Sequence, residues 1–332
     1  MSILDSDLQA FLPASVSNDP ASNGGRMSSR NISLNAKNNV FPDVSRAQRT
    51  SGAIRWRKLF LANRNSENLA VQSTFVVLDK PTVYGDFALF RPGTHEDFET
   101  AISGATYGCA VLAQDAATGA TTLTLALEAA SLSAMLTAGR EILVTARADF
   151  KSSSGAEEFA QIASVSTSGL QATVTLSAAL ANAYTVAAGA RVCTVYRPAQ
   201  PAAPALTDWT ESGTGNYDRA NFPVVLTNVG TIRQIWTITY QSATAFTVTG
   251  DVLGVLGTFE TSADAAPAPA GGEPYFRLRS GGHGTGHTNG DTITFTTSPA
   301  AVPIWVQSAI PAGLDEFGMS DIPISWSVEG ET

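Results

Sequence analysis

Over most of the chain, apolar and polar residues alternate with a period of two, in short runs bounded by turn-forming residues. This is the pattern of strands with one buried face. From Ile54, the segment IRWRKLFLAN sets Ile54, Trp56 and Lys58 against Arg55, Arg57 and Leu59; after the polar turn RNSEN, LAVQSTFVVLD supplies a second strand. Together they predict a long hairpin in which Trp56 and Phe60 share one face and pack in a core. Between Cys109 and Arg197 five further runs follow: ATTLTLAL, REILVTARA, EEFAQIASVS, LQATVTLSAAL and ARVCTVYRP. The turns ATG, SSSGA, TSG and AAG separate them at intervals that suit a compact sandwich or small barrel.

A stiff Pro/Ala connector, PAQPAAPAL (198–206), leads out of this region. Beyond it lie TIRQIWTITYQSATAFTVTGDVLGVLGTF, the linker ADAAPAPAGGEP, and the runs YFRLRS, DTITFTTS and VPIWVQSAI. In DTITFTTS, Ile293 and Phe295 alternate with threonines, as in a strand with one buried face. The start of the chain differs, because Ile3, Leu4, Leu8, Phe11 and Leu12 recur at helical spacing before the polar run SNDPASNGG. So short a helix is marginal alone, which suggests either an arm that docks elsewhere or a frayed terminus. The expectation is therefore an all-β protein of two or more β-sandwich or barrel-like domains with an extended N-terminal arm. The arm covers 1–53, a discontinuous main β-domain covers 54–108 and 198–332, and an inserted β-domain covers 109–197. Cys109 and Cys193 fall near the two ends of the insertion, so its first and last strands are expected to be neighbours.

Composition narrows the function. Charged residues make up 15% of the 332, well below the roughly 25% usual for soluble domains, which points to surface covered by partners. The formal charge of −9 argues against general nucleic-acid binding. Its distribution is uneven: between Arg26 and Glu67, nine basic residues stand against two acidic ones, a local +7 that leaves −16 for the rest. Such a dipole suits ordered contact between a basic segment of one subunit and an acidic face of the next, the alternative being a solvated basic loop region. Arg26, Arg30, Arg46, Arg49, Arg55 and Arg57 are the candidate interface residues. Residues 13–53, rich in Asn, Ser and Arg, are too polar to form a core and should order on contact with a neighbour.

Two cysteines are too few for a disulfide scaffold and match no zinc spacing, which implies cytosolic synthesis. No apolar run reaches membrane-spanning length, and MSILDSDLQAFLP lacks a signal-peptide pattern, so neither secretion through a signal peptide nor membrane insertion is expected. His283 and His287 in GGHGTGHTNGD could hold a metal with Asp291, or form a glycine-rich surface turn. His95 beside Glu96 and Asp97 could be a base with carboxylate partners; adjacent residues on an extended chain point apart, which favours a capped turn. No nucleophile elbow, P-loop or dinucleotide fingerprint is present. No catalytic residue, cofactor or metal is assigned. A glycan-active enzyme with paired carboxylates, or a carbohydrate-binding module with exposed aromatics, remains the alternative of another class.

Three stretches carry a resemblance: SNGGRMSSRNISLNAKNNVFPDVSRAQRTSGAIRWRKLFLANRN (22–65), GAEEFAQIASVSTSGLQATVTLSAAL, and GDTITFTTSPAAVPIWVQSAIPAG (290–313). They are similar to structural proteins encoded in the morphogenesis clusters of contractile-tailed bacteriophages, of the Mu-like and related Pseudomonas myovirus kind. The resemblance implies a non-enzymatic virion component, assembled in the host bacterial cytoplasm. It would form an oligomeric ring in the neck, of gateway type, between the head connector or collar and the tail tube or sheath. A baseplate or tail-tip position is the alternative within the virion. Contact with DNA would be passive, through a neutral or acidic lumen.

Overall fold

The computed structural model describes residues 3–33, 36–82, 84–199, 202–314 and 321–330. The chain is all-β, with several sheets that include a six-stranded closed barrel. Five strands come before the barrel: β1 (Leu8–Ser15), β2 (Gly24–Asn31), β3 (Ala53–Asn63), β4 (Val71–Leu78) and β5 (Phe87–Pro92). The barrel follows, from β6 (Cys109–Leu112), β7 (Thr122–Ala126), β8 (Glu141–Thr145), β9 (Glu157–Ser168), β10 (Gln171–Leu176) and β11 (Arg191–Thr194). A separate sheet takes β12 (Ala205–Ser212), β13 (Gln234–Tyr240), β14 (Ala245–Gly250), β15 (Gly254–Glu260) and β16 (Thr292–Ser298). The chain then returns through β17 (Ala301–Ile310) and β18 (Ile324–Gly330).

The central sheet has the order β2-β1-β3-β17-β5. The hairpin expected from IRWRKLFLAN and LAVQSTFVVLD does not form. Instead β3 pairs along its length with β17, from Ala62 opposite Ala301 to Ala53 opposite Ile310, while β4 pairs with β18. The turn between the two strands is long enough to let each find a partner from the far end of the chain, and β17, buried at every position, supplies the larger apolar surface. Trp56 packs toward the barrel core, whereas Phe60 lies in a small cluster with Phe11, Ala62 and Ala301.

The N-terminal segment also departs from the helical expectation. After a short turn at Asp5–Asp7, β1 runs antiparallel to β3 with Leu8 opposite Asn63 and Phe11 opposite Phe60. Strand pairing on the open edge of β3 satisfies the backbone continuously, whereas a helix over these residues would have ended at Pro13. Residues 8–31 are thus a hairpin of the central sheet, and a short helix, α1 (Arg46–Ser51), capped by the Ser45 side chain, precedes β3. Of the connector 198–206, residues 200 and 201 lie outside the described residues.

The barrel closes in the order β10-β7-β6-β11-β8-β9, so its strands leave no open edge. Leu112, Leu123, Leu125, Ile142, Val144, Ile162, Val174 and Val192 fill its interior, each contributing roughly 1.5–3 kcal/mol by burial. Alternate residues of β6, β8 and β11 face outward: Cys109, Leu143 and Cys193 pack with Val76, Val77, Leu78, Phe90 and Ile304. The barrel therefore sits on the central sheet through its own outer wall. Asp79 and Arg191 form a buried ion pair at this junction, 2.6 Å between Oδ1 and Nη2.

Candidate assembly surface

The sheet of β12 to β16, ordered β12-β16-β13-β14-β15, has two unlike faces. Trp236, Ile238, Tyr240, Phe246, Val248, Ile293 and Phe295 point inward and are fully buried under Tyr217, Phe276 and Leu278 from the long connections. The alternate positions are threonines that meet across strands. Thr237 lies opposite Thr249 and Thr294, Thr239 opposite Thr247 and Thr292, and Thr210 and Thr207 opposite Thr294 and Thr296. Thr258 of the edge strand β15 faces Thr247. The period of two forces this separation, because every inward aromatic or aliphatic residue leaves a threonine on the other side. The result is a broad, uncharged polar face, with Asp208 and Glu260 on the edge strands.

One end of this face is apolar. Val252 and Val255 are 70% and 69% exposed, and Leu253 and Ile235 are 41% and 39% exposed. They gather where β13 begins and where β14 turns into β15, since Gly250 pairs with Gly254 and the Asp251 amide donates to the Ile235 carbonyl. An ion network fixes this tip to the central sheet. Arg26 of β2 donates to both carboxylate oxygens of Asp251, at 2.9 and 2.6 Å, and through Nε to Glu96 Oε1 at 2.7 Å. Arg233 donates to Glu96 Oε2 at 2.7 Å, and Asp251 also accepts the Ile235 amide. The hydrogen bonds from Arg233 and then Arg26 hold the Glu96 carboxyl below its usual range, and that from Arg26 does the same for Asp251.

The six arginines singled out from sequence are not gathered into one basic patch. Arg26 enters the network just described, and Arg30 donates to the Pro13 carbonyl at 2.6 Å. Arg55 donates to the Pro42 carbonyl and Ser308 Oγ and stacks over Phe41; Arg57, 4% exposed, donates to the Ser17 carbonyl and Asn18 Oδ1. These four act within the chain: Arg26 joins the hairpin to Glu96 and Asp251, Arg30 braces the hairpin itself, and Arg55 and Arg57 tie the 36–45 segment and the hairpin turn to β3. Arg46 is exposed at the start of α1, and Arg49 is half-buried in its last turn. Sequence reasoning overlooked the apolar tip, although the run GDVLGVLG places Val252 and Leu253 in a turn, where polar residues are usual, and Val255 directly after it.

The histidines have structural partners. His287 is buried and stacks on Tyr240 with ring centroids 3.7 Å apart, its Nε2 3.1 Å from the Asn216 carbonyl. His283 Nδ1 shares a 2.7 Å hydrogen bond with the Tyr240 hydroxyl, and burial pushes its pKa down to about 4. The Asp291 carboxylate accepts the amides of Thr214, Gly215 and Thr288, and those backbone donors hold it well below the carboxylate range. Gly215 is required there, because a Cβ would lie far closer to His287 Nδ1 than van der Waals contact allows. Among the described residues no group of three His, Cys, Asp or Glu side chains is placed to hold a metal ion. His95 lies in a turn capped by Thr94, whose hydroxyl accepts the Glu96 and Asp97 amides; Glu96 turns to Arg26 and Arg233, and Asp97 to Lys58 and Trp305.

No helix among the described residues is long and apolar enough to cross a membrane. Compared with known proteins, the chain matches no family model and no curated protein.

Proposed function

We propose that this chain is a non-enzymatic structural subunit of a contractile-tailed phage virion. It forms an oligomeric ring at the neck, of gateway type, between the head connector or collar and the tail tube or sheath. The observation that carries the reading is the threonine face with its exposed apolar tip. Four large aliphatic side chains stand in solvent at one end of an uncharged sheet face, and a multi-residue ion network holds them in place. A monomer gains nothing from exposing Val252 and Val255 on a rigid turn, whereas a subunit contact buries them. Buried wholly, each would contribute roughly 1.5–3 kcal/mol to association. The resemblance of 22–65 and 290–313 to phage morphogenesis proteins supplies the setting, and a baseplate ring would use the same surfaces.

Mass photometry and negative-stain microscopy of the purified chain, alone and mixed with disrupted phage particles, test the reading. Closed rings, or decoration of a neck or baseplate, are expected. Val252→Asp with Val255→Asp should leave a folded monomer and weaken assembly by at least about a hundredfold. A wild-type chain that stays monomeric and ignores particles would defeat the proposal, as would a double variant that assembles normally.

A further inference from the structure

We propose that Cys109 and Cys193 are a disulfide-forming site that locks the barrel shut once the protein meets an oxidising environment. The register of β6 and β11 places the two residues directly opposite one another. The flanking backbone bonds, Thr194 N to Gly108 O and Leu112 N to Ala190 O, belong to the alternate pairs. Cys109 and Cys193 therefore occupy a non-hydrogen-bonded position. There the facing Cα atoms approach to about 4.5 Å, inside the range a disulfide can bridge. Both thiols are free, and their Sγ atoms lie 3.2 Å apart. Little backbone movement separates this arrangement from a covalent link.

The surroundings define when the bond can form. Both side chains are buried, 1% and 0% exposed, against Val76, Val77 and Leu78. The Asp79 carbonyl oxygen lies 3.5 Å from the Cys193 sulfur and 3.8 Å from that of Cys109. Burial pushes the Cys109 thiol up, so the thiolate that must attack is scarce in the closed barrel. Reaction accordingly belongs to folding or to opening of β6 from β11. The co-reactant is a low-molecular-weight disulfide. One cysteine thiolate attacks it, forming a mixed disulfide and expelling one thiolate; the second cysteine thiolate then attacks the protein sulfur of that mixed disulfide and expels the other. The two protein thiols are oxidised, the small disulfide is reduced to two thiols, and the protons from the cysteines pass to the leaving thiolates.

The bond would join the first and last strands of the barrel across a separation of 84 residues. Closing a loop of that length in the unfolded chain should raise Tm by on the order of 6 °C for a protein of this size. The full chain is produced in parallel in bacteria with a reducing and with a thiol-oxidising cytoplasm, then denatured and alkylated. The oxidised preparation should lack two hydrogens and take up no alkylating agent, and a Cys109–Cys193 crosslink should appear in its peptide map. Its Tm should exceed that of the reduced preparation, and a reductant or the Cys193→Ala substitution should abolish the difference. Two alkylated thiols in both preparations would overturn the site, as would a crosslink between chains; an equal or lower Tm in the oxidised form would overturn its locking role.

Discussion

Replacing Lys58 with methionine should cost about 3–5 kcal/mol of folding stability, the penalty for leaving a buried carboxylate without its cation. The Lys58 side chain is fully buried, and its ammonium spends all three protons: on Asp97 Oδ1 at 2.6 Å, the Gly25 carbonyl at 2.7 Å and the Asp97 carbonyl at 3.0 Å. The Phe60 and Trp305 rings lie 5.0 and 5.7 Å from the charge. Methionine fills the volume but satisfies none of these acceptors, and the Asp97 side chain, 10% exposed, cannot recruit water freely. Among the described residues, Asp97 would keep the Thr94 amide and the Trp305 indole N–H. Urea unfolding followed by tryptophan fluorescence measures the loss. The second arm is Lys58→Met with Asp97→Asn, which removes both charges while still accepting from Trp305. It should recover about 2 kcal/mol or more relative to additivity. Because Gly25 lies in β2, amide exchange in the Gly24–Asn31 strand should also accelerate in the single variant. A Lys58→Met protein within 1 kcal/mol of wild type, or a double variant no better than the sum of the singles, would refute the pairing argument.

Two further expectations concern pH and packing. His95 and His283 stay neutral in the folded chain down to about pH 4, chiefly through burial, while in the unfolded chain they take up protons near 6.5. The stability this protects is complete above pH 6.5 and falls as pH drops toward 4, by up to about 3 kcal/mol for each residue; urea titrations between pH 7 and 4 on wild type and on His95→Phe with His283→Phe should show a flatter slope in the variant, and equal slopes would contradict the assignment. Gly215→Ala drives a methyl group into the His287 ring and should cost about 1–3 kcal/mol, read as a fall in the urea midpoint; Gly119→Ala, where no atom lies within 4 Å, carries only the backbone term of about 1 kcal/mol and serves as the control.

The alternation of side chains was enough to read the all-β class, and the strands of the barrel were visible as separate runs because each buries a set of aliphatics at period two. Ile293 and Phe295 likewise announced one buried face of β16. Pairing was not legible. β3 takes its neighbour from residues 301–310, more than two hundred positions away, and nothing in IRWRKLFLAN records that. The burial of Lys58 was hidden for the same reason, since its acceptors come from β2 and from the 94–98 turn. The basic run 26–67 was evident as charge, but charge does not say where a guanidinium points. Arg26 finds Glu96 and Asp251, 70 and 225 residues along the chain, so an apparent free arm becomes part of the internal bracing.

That bracing bears on how the surfaces could serve an assembly. β17 pairs with both β3 and β5, so the central sheet is completed only by residues that follow the barrel and the threonine sheet. The barrel and the threonine sheet together form one excursion that leaves the platform after β5 and returns to it at β17, and a load applied to either reaches the platform through side-chain contacts as well as along the chain. For the barrel the path runs through the buried Arg191–Asp79 pair and the apolar wall around Cys109 and Cys193. For the threonine sheet it runs from the Val252–Val255 turn through Asp251 to Arg26, and then along β2 to Gly25, whose carbonyl accepts from Lys58 at the centre of the platform. The polar groups along this route are directional and charge-assisted, so they fix orientation where apolar packing alone would permit sliding. Under the proposed ring assembly, a subunit that must present the same face to each neighbour would have a use for that fixity.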